Sequence, residues 1–331
     1  MQRQPAGAAL APAADFVARF RADAAQLAGG APDRLGVAVS GGPDSLALLL
    51  LAVAAFPGRI AAASVDHGLR VENADEAVRV GAICRDLDVP HIVLSGVTGH
   101  AGGVQAAARA MRYQLLGDWA VQEGCSHLAT AHHADDQAET LLMRMGRGAG
   151  LPGLAGIRAS RPIAEGSPIM LIRPLLGWRK AELTAIVTAS GLQAVDDPSN
   201  RSLRFDRSRI RAWLAAAEAP AAPRLAAAAA HLEDCEAALA WAADAAWRLR
   251  ARASEEVAVE AEGLPRELRR RLARRAIETV RRGAGLAGPW REDGLDRLLT
   301  TLDAGGGATL GGVMCRGGER WTFRPAPPRR A

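Results

Sequence analysis

Lysine is almost missing from this chain. Lys180 is the only one in 331 residues, so the positive charge is nearly all arginine. GC-rich coding accounts for that shortage but not for the sign of the balance. A net charge of +5 and a pI near 9.6 favour an anionic partner, nucleic acid first. The four cysteines, Cys84, Cys125, Cys235 and Cys315, lie far apart and none forms C-x-x-C. That argues against a zinc ribbon or an iron–sulfur cluster and fits a reduced, cytoplasmic setting. Long apolar runs are also lacking: the longest, Leu46 to Phe56, is too short to cross a bilayer. Met1 to Ala14 is Ala/Pro-rich without the apolar stretch of a secretory signal, so no membrane partner is expected. No internal repeat is evident. What remains is a soluble globular composition, 49% hydrophobic and 23% charged, and long enough for two domains.

The stretch that organises the rest runs from Leu35 to Leu51. Leu35, Val37 and Val39 read as a strand buried between layers, and Ser45 through Phe56 as a buried helix. Between them lies Ser40-Gly41-Gly42-Pro43-Asp44-Ser45. Gly41 and Gly42 can take positive φ and let backbone N–H groups approach a ligand, and the following helix N-terminus favours an anion. The spacing predicts a phosphate cradle. A Walker A loop is excluded because no lysine closes it, and G-x-G-x-x-G is absent here. The loop carries a carboxylate instead, Asp44, which would repel phosphates unless Mg²⁺ or another cation bridges them. The plain alternative is a Gly-Gly turn with Asp44 and Ser45 capping a helix.

Alternating elements follow. The pattern predicts a helix over Asp15–Leu27, a strand over Ile60–Val65 ending at Asp66-His67-Gly68, and a helix from Asn73 to Leu87 with Asn73 as cap. Ile92, Val93 and Leu94 make a third strand. A helix over Gly102–Glu123 closes at Gly124, and His127–Thr130 is a fourth strand before a helix over Asp135–Met145. A glycine-rich loop, Gly146 to Gly156, leads towards a fifth strand at Ile169–Ile172. This is α/β alternation, with a parallel doubly wound sheet expected and ligands at the carboxyl ends of its strands. The first loop, Asp66-His67 and His132-His133 all fall at such ends. From Trp178 the alternation stops. Lys180–Ser190 reads as a helix, Ala221–Arg250 as a long alanine-rich one, and the tail as two helices and two short strands. The expected organisation is a tail and helix over 1–30, a catalytic domain over 31–219, a mostly helical linker over 220–262 and a small α+β domain over 263–331.

A second constellation, His132-His133-Ala134-Asp135-Asp136-Gln137-Ala138-Glu139-Thr140, opens the helix after strand four. Early carboxylates gain about 0.3–1 kcal/mol from the helix dipole, which explains one acid but not two histidines before three. Asp135 and Glu139 are i,i+4 and face each other. The cluster suits binding Mg²⁺, gripping an amine or taking its proton. Arg109 and Arg112, i,i+3 on one helix, have the spacing to grip a phosphate from two sides. Tyr113, beside them, is the only tyrosine. Asp197-Pro198-Ser199-Asn200 is a turn sequence. It precedes Arg201, Arg204, Arg207, Arg209 and Arg211, which suit either a solvated helix or an RNA phosphate track.

The loop S-G-G-x-D-S resembles that of ATP pyrophosphatases, the PP-loop enzymes that release pyrophosphate and form an adenylated intermediate. With VDHGLR (Val65–Arg70), ARAMRY (Ala108–Tyr113), HHADDQAET (His132–Thr140), RGAGLPGL (Arg147–Leu154), RPLL (Arg173–Leu176), DPSN (Asp197–Asn200) and RSRIR (Arg207–Arg211), the ordered set resembles the tRNA(Ile)-lysidine synthase family. Ser208 stands where that family usually has asparagine.

The resemblance implies an adenine nucleotide alpha-hydrolase-like fold and ATP with Mg²⁺ as cofactors. It implies lysidine formation at the wobble cytidine of tRNA(Ile) bearing a CAU anticodon. ATP adenylates the C2 oxygen, pyrophosphate leaves, the ε-amine of free L-lysine attacks C2 and AMP leaves. Decoding then shifts from AUG to AUA, and charging from methionine to isoleucine. Ser40, Gly41, Gly42, Pro43, Asp44 and Ser45 would cradle the phosphates, with Asp44 on Mg²⁺. Asp136 and His133 would hold lysine and help deprotonate its amine, an ammonium with a pKa near ~10.4 until it does. Arg112 would stabilise developing negative charge. Arg109, Asp135, Glu139, Arg207 and Arg211 would contact substrates. The tail would dock the tRNA body, and the resemblance leaves room for a homodimer. The rivals are a PP-loop tRNA thiolase of the 2-thiocytidine type, which would want a paired cysteine set, and a regulatory module that senses ATP without catalysis.

Overall fold

A computed structural model describes residues 10–66, 72–96, 104–194, 206–216, 221–254, 256–286, 288, 290 and 292–327, with the backbone alone at 72–75, 104–106, 206–208 and 215. His67, Asp197–Asn200, Arg201 and Arg204, and the side chain of Arg207, therefore lie outside the described residues. Contacts divide the chain into two units, Met1–Glu233 and Asp234–Ala331.

In the first unit the elements follow the alternation. They are α1 (Ala14–Ala28), β1 (Leu35–Ala38), α2 (Pro43–Ala55), β2 (Ile60–Asp66), α3 (Glu72–Asp86), β3 (His91–Ser95), α4 (Val104–Gln122), β4 (His127–Ala129) and α5 (Ala134–Met145). Then come α6 (Leu151–Leu154), β5 (Ser160–Pro162), β6 (Met170–Ile172), α7 (Lys180–Ala189) and α8 (Asp206–Ala216). Among the described residues the sheet runs β3-β2-β1-β4-β6-β5. Every pairing is parallel except β5 with β6, so the all-parallel expectation is corrected at one edge. β5 is three residues long and ends in Pro162. So short a run carries no periodicity to read, and an edge is where a strand tolerates proline. Two further corrections are local. The glycine-rich loop contains the turn of α6, and α3 begins at Glu72, which puts Asn73 inside the helix rather than at its cap.

The sheet is covered on both faces. One face buries α1, α2 and α7 through Phe20, Leu48, Leu51, Trp178 and Leu183. The other buries α4 through Leu116 and Trp119 against Leu128, Ile169 and Leu171. α2 is apolar all round because it is enclosed: Leu46 through Ala52 are all buried. α1 belongs to this core as well. Trp178 Nε1 donates to Asp23 at 2.8 Å, and the Arg19 guanidinium lies 4.2 Å from the Trp178 ring centroid.

α9 (Ala221–Arg250) spans the division between the units. In the second unit β7 (Ala251–Ala253), β8 (Val257–Val259), α10 (Arg266–Gly283), α11 (Leu295–Asp303), β9 (Gly307–Leu310), β10 (Val313–Arg316) and β11 (Trp321–Pro325) follow. The strands form an antiparallel sheet in the order β7-β8-β11-β10-β9. The two short strands expected in the tail are thus three, joined by a hairpin from before α10. Leu272, Ile277, Leu298, Leu302, Val313 and Phe323 are buried in its core. The arginines of α10 are heavily engaged: Arg271 pairs with Glu236 and Glu267, Arg266 with Asp296, and Arg274 with Glu278 and Glu292.

Candidate active site

Strand order turns back between β1 and β4, and their loops leave the sheet side by side at its carboxyl rim. This is the switch point where open α/β sheets leave a crevice. The glycine turn follows β1 and the histidine–aspartate cluster follows β4, so the fold brings the two motifs together.

In the first loop Gly41 takes φ 83°, the left-handed region that glycine adopts freely. Gly42 does not: it is the extended N-cap of α2 at φ −72°, with Pro43 in the first turn. The loop is braced from inside. The Ser40 N–H donates to the buried Ser45 Oγ at 3.1 Å, the Ser40 hydroxyl lies 3.2 Å from the same atom, and Ser45 donates onward to the Gly42 carbonyl at 2.9 Å. Ser45 therefore shapes the turn from inside.

His133 joins the two motifs. It is 3% exposed, and its Nε2 lies 3.4 Å from Asp44 Oδ2 and 3.6 Å from Asp136 Oδ2, with Nδ1 3.6 Å from Asp135 Oδ2. Burial pulls its pKa down, but the interactions with Asp135 and Asp44 and the charge of Asp136 outweigh it and lift it to about 10. The three carboxylates thus favour the charged form of His133. Asp136 also accepts from the His133 N–H at 3.1 Å. Asp135 has a bracing role: it accepts from the Lys180 N–H at 2.9 Å, tying α5 to the start of α7. Its pKa is depressed, first by His133 and then, against burial, by that N–H.

Glu139 and Arg211, both assigned to substrates from sequence, meet each other. Arg211 donates from Nε at 2.7 Å and Nη2 at 3.2 Å to the two carboxylate oxygens, which holds α8 on α5. Glu139 is 1% exposed. Asp135 and Glu139, expected to face one another, turn to separate partners. Arg109 and Arg112 do lie together, around Tyr113. Arg109 donates to the Tyr113 hydroxyl at 3.2 Å, and Arg109 and Arg161 each sit 5.1 Å from the ring centroid. The surrounding protein depresses the pKa of Arg112, with Tyr113 opposing and Arg109 adding to the fall. Buried Arg173, just beyond β6, is lowered by burial and by Arg161 and Arg109, against Tyr113, and its Nε is buried without a hydrogen-bond partner. The result is an electropositive cluster around Tyr113.

Residues 17–218 match the family model described as PP-loop domain. The tRNA(Ile)-lysidine synthase of Novosphingobium aromaticivorans is 45% identical over 95% of this chain and 94% of its own. That of Zymomonas mobilis is 44% identical over 90% of each. The chain belongs to the tRNA(Ile)-lysidine synthase family. A solved U34-tRNA thiolase from Methanococcus maripaludis, with its [4Fe-4S] cluster, is 17% identical with a TM-score of 0.54, covering 66% of this chain and 79% of that one, and shows the shared fold. Among the described residues no three His, Cys, Asp or Glu side chains group as a metal site, and Cys84, Cys125 and Cys315 are buried singly.

Two side chains of α5 to which the sequence reading gave no role hold the neighbouring loop. Gln137 anchors the glycine-rich loop: its side chain donates to the Ile157 carbonyl at 2.9 Å and accepts the Ile157 N–H at 2.6 Å. Arg144 donates to the Gly153 and Gly156 carbonyls at 2.5 and 2.8 Å. Gly156 sits at φ 70° with space for no side chain, since a Cβ would lie 2.4 Å from Gln137 Oε1. The signal was a glutamine amid the acids, one position beyond those that drew notice. As to Mg²⁺, Asp44 Oδ1 is buried with no hydrogen-bond partner, and three carboxylates surround His133. Mg²⁺ takes one or two carboxylates and completes its shell with phosphate oxygens and water, so it is the open Asp44 oxygen, not the cluster around His133, that fits the ion.

Proposed function

We propose that this chain forms lysidine on tRNA(Ile), using ATP to adenylate the wobble cytidine of the CAU anticodon and free L-lysine as the amine. The observation that carries the reading is the placement of His133 between Asp44 of the glycine turn and Asp136 of the second motif, 3.4 and 3.6 Å from them. One crevice thus holds both a phosphate cradle and an acidic amine site. ATP phosphates would lie along Ser40–Ser45. Asp44 would hold Mg²⁺, which when bound would offset the negative charge of the phosphates. Asp136 would receive the lysine ammonium and its proton, since only the free amine attacks C2. Arg112 and Arg109, backed by Arg161 and Arg173, would face the negative charge on nucleotide phosphate or on the developing C2 oxyanion. Arg211 and Asp135 act by holding α8 and α7 in place. The target base must leave its stack to enter the crevice.

Within the described residues no helix is long and apolar enough to cross a membrane. We place the activity in the cytoplasm with its tRNA, and the second unit on the tRNA body. The test is incubation with radiolabelled lysine, ATP and an unmodified tRNA(Ile) transcript. Label should enter the RNA only with both co-substrates, and pyrophosphate should appear with it. ATP binding without label in RNA would leave the regulatory reading standing instead.

A further inference from the structure

α5 carries more than the catalytic acids. Asp136 begins a face that continues through Glu139 to Leu142, Met143 and Gly146, residues one turn apart in sequence order. Arg211 closes that face at Glu139. Just beyond the pair, α5 and α8 part to leave a cleft of about 460 Å³ lined by Leu142, Met143, Arg147, Arg209, Ile210 and Trp213. Asp136 and Met143 are two helical turns apart, about 10 Å. Trp213 is 60% exposed. A large aromatic left to water at the mouth of an apolar cleft marks a surface that something covers.

We propose that this cleft takes a nucleobase of the anticodon loop next to the target cytidine, stacked on Trp213, with Arg147 and Arg209 facing its phosphates. The inference rests on the reading that the crevice acts on tRNA, and it names a contact that reading lacks. Three features select RNA over a protein partner. The two charged residues lining the cleft are both arginines, which match a polyanion and can also stack on bases. Single-stranded loops are bound through unstacked bases laid on aromatic side chains. The cleft lies on the same helix face as Asp136, where a base beside the flipped cytidine would arrive.

The experiment measures KM for tRNA(Ile) transcript and for ATP with the full-length wild type, Trp213→Ala and Trp213→Phe. It also uses transcripts made abasic at either nucleotide flanking the target. Loss of one base–aromatic stack should raise the transcript KM of Trp213→Ala roughly ten- to hundredfold. The ATP KM should stay unchanged, and Trp213→Phe should keep most of the affinity. One abasic transcript should bind wild type as poorly as the intact one binds Trp213→Ala, and the variant should not notice the missing base. A wild-type transcript KM in Trp213→Ala overturns the proposal, as does an equal loss towards ATP, which means a packing role. Loss of a co-purifying protein with RNA binding intact overturns it in favour of a protein site. If Trp213→Ala does not fold, the abasic transcripts on wild type decide: insensitivity to both overturns the proposal. A wild type that places no lysine on any RNA sinks the proposed function, whereas normal activity with an indifferent Trp213 sinks only this contact.

Discussion

Arg211 offers a sharp test because sequence and structure assign its charge differently. Replacing it by methionine removes both hydrogen bonds to Glu139, whose side chain is 2% exposed, while that of Arg211 is 36% exposed. Stripping the partner from a fully buried pair costs about 3–5 kcal/mol. Water already reaches Arg211 and can take over part of its task, so roughly 2 kcal/mol is expected here. For a unit of this size that corresponds to a fall in Tm of about 4–8 °C. Glu139→Gln removes the stranded charge, so Arg211→Met should cost at least about 1 kcal/mol less in that background than in wild type. Because two units can unfold separately, the proper readout is hydrogen exchange along α5 and α8 beside the thermal melt. Equal costs in both backgrounds would refute the pairing argument. An unchanged melt with weaker transcript binding and a shallower salt dependence would refute it too, and would give Arg211 back to the RNA.

Four further outcomes are expected. Asp44→Asn should slow ATP–pyrophosphate exchange by at least about a hundredfold, the scale of losing one preorganised electrostatic group, and excess Mg²⁺ should not restore it; near-normal exchange would remove Asp44 from the phosphate site. Gly156→Ala should destabilise the first unit by roughly 1–3 kcal/mol in a melt, through its φ of 70° and the clash with Gln137, and Gln137→Ala in the same chain should relieve part of that loss. Trp178→Phe leaves a gap in the core and removes the indole N–H given to Asp23, so by urea titration it should cost about 1 kcal/mol less when Asp23 is already alanine, and equal costs would remove that hydrogen bond from the account. Ending the chain after Glu233 should weaken transcript binding far more than ATP binding by calorimetry, and equal losses would mean that the second unit only supports the fold of the first.

Much of the site was legible because its parts are local. A buried strand, a turn needing positive φ and an enclosed helix declare themselves by composition, and Leu35–Phe56 is that sequence. The same holds for two histidines before three acids at a strand's end. The long helices α4, α5 and α9 fell where periodicity put them. β5 and β7 did not, because three-residue strands hold no period, and an edge strand's direction depends on what it pairs with.

The amino-acid order by itself determined that the glycine turn and the histidine–aspartate cluster would each follow a strand, at its carboxyl end. The tertiary structure decided their partners. Glu139 and Arg211 lie 72 positions apart, and no local pattern says that one neutralises the other. Likewise, Asp44 reaches His133 only because β1 and β4 are neighbours, and four arginines gather around Tyr113 only because α4, β5 and β6 converge there. The cause is general: helix and strand signals act over a few residues, whereas the pairing of charges is set by which elements pack together.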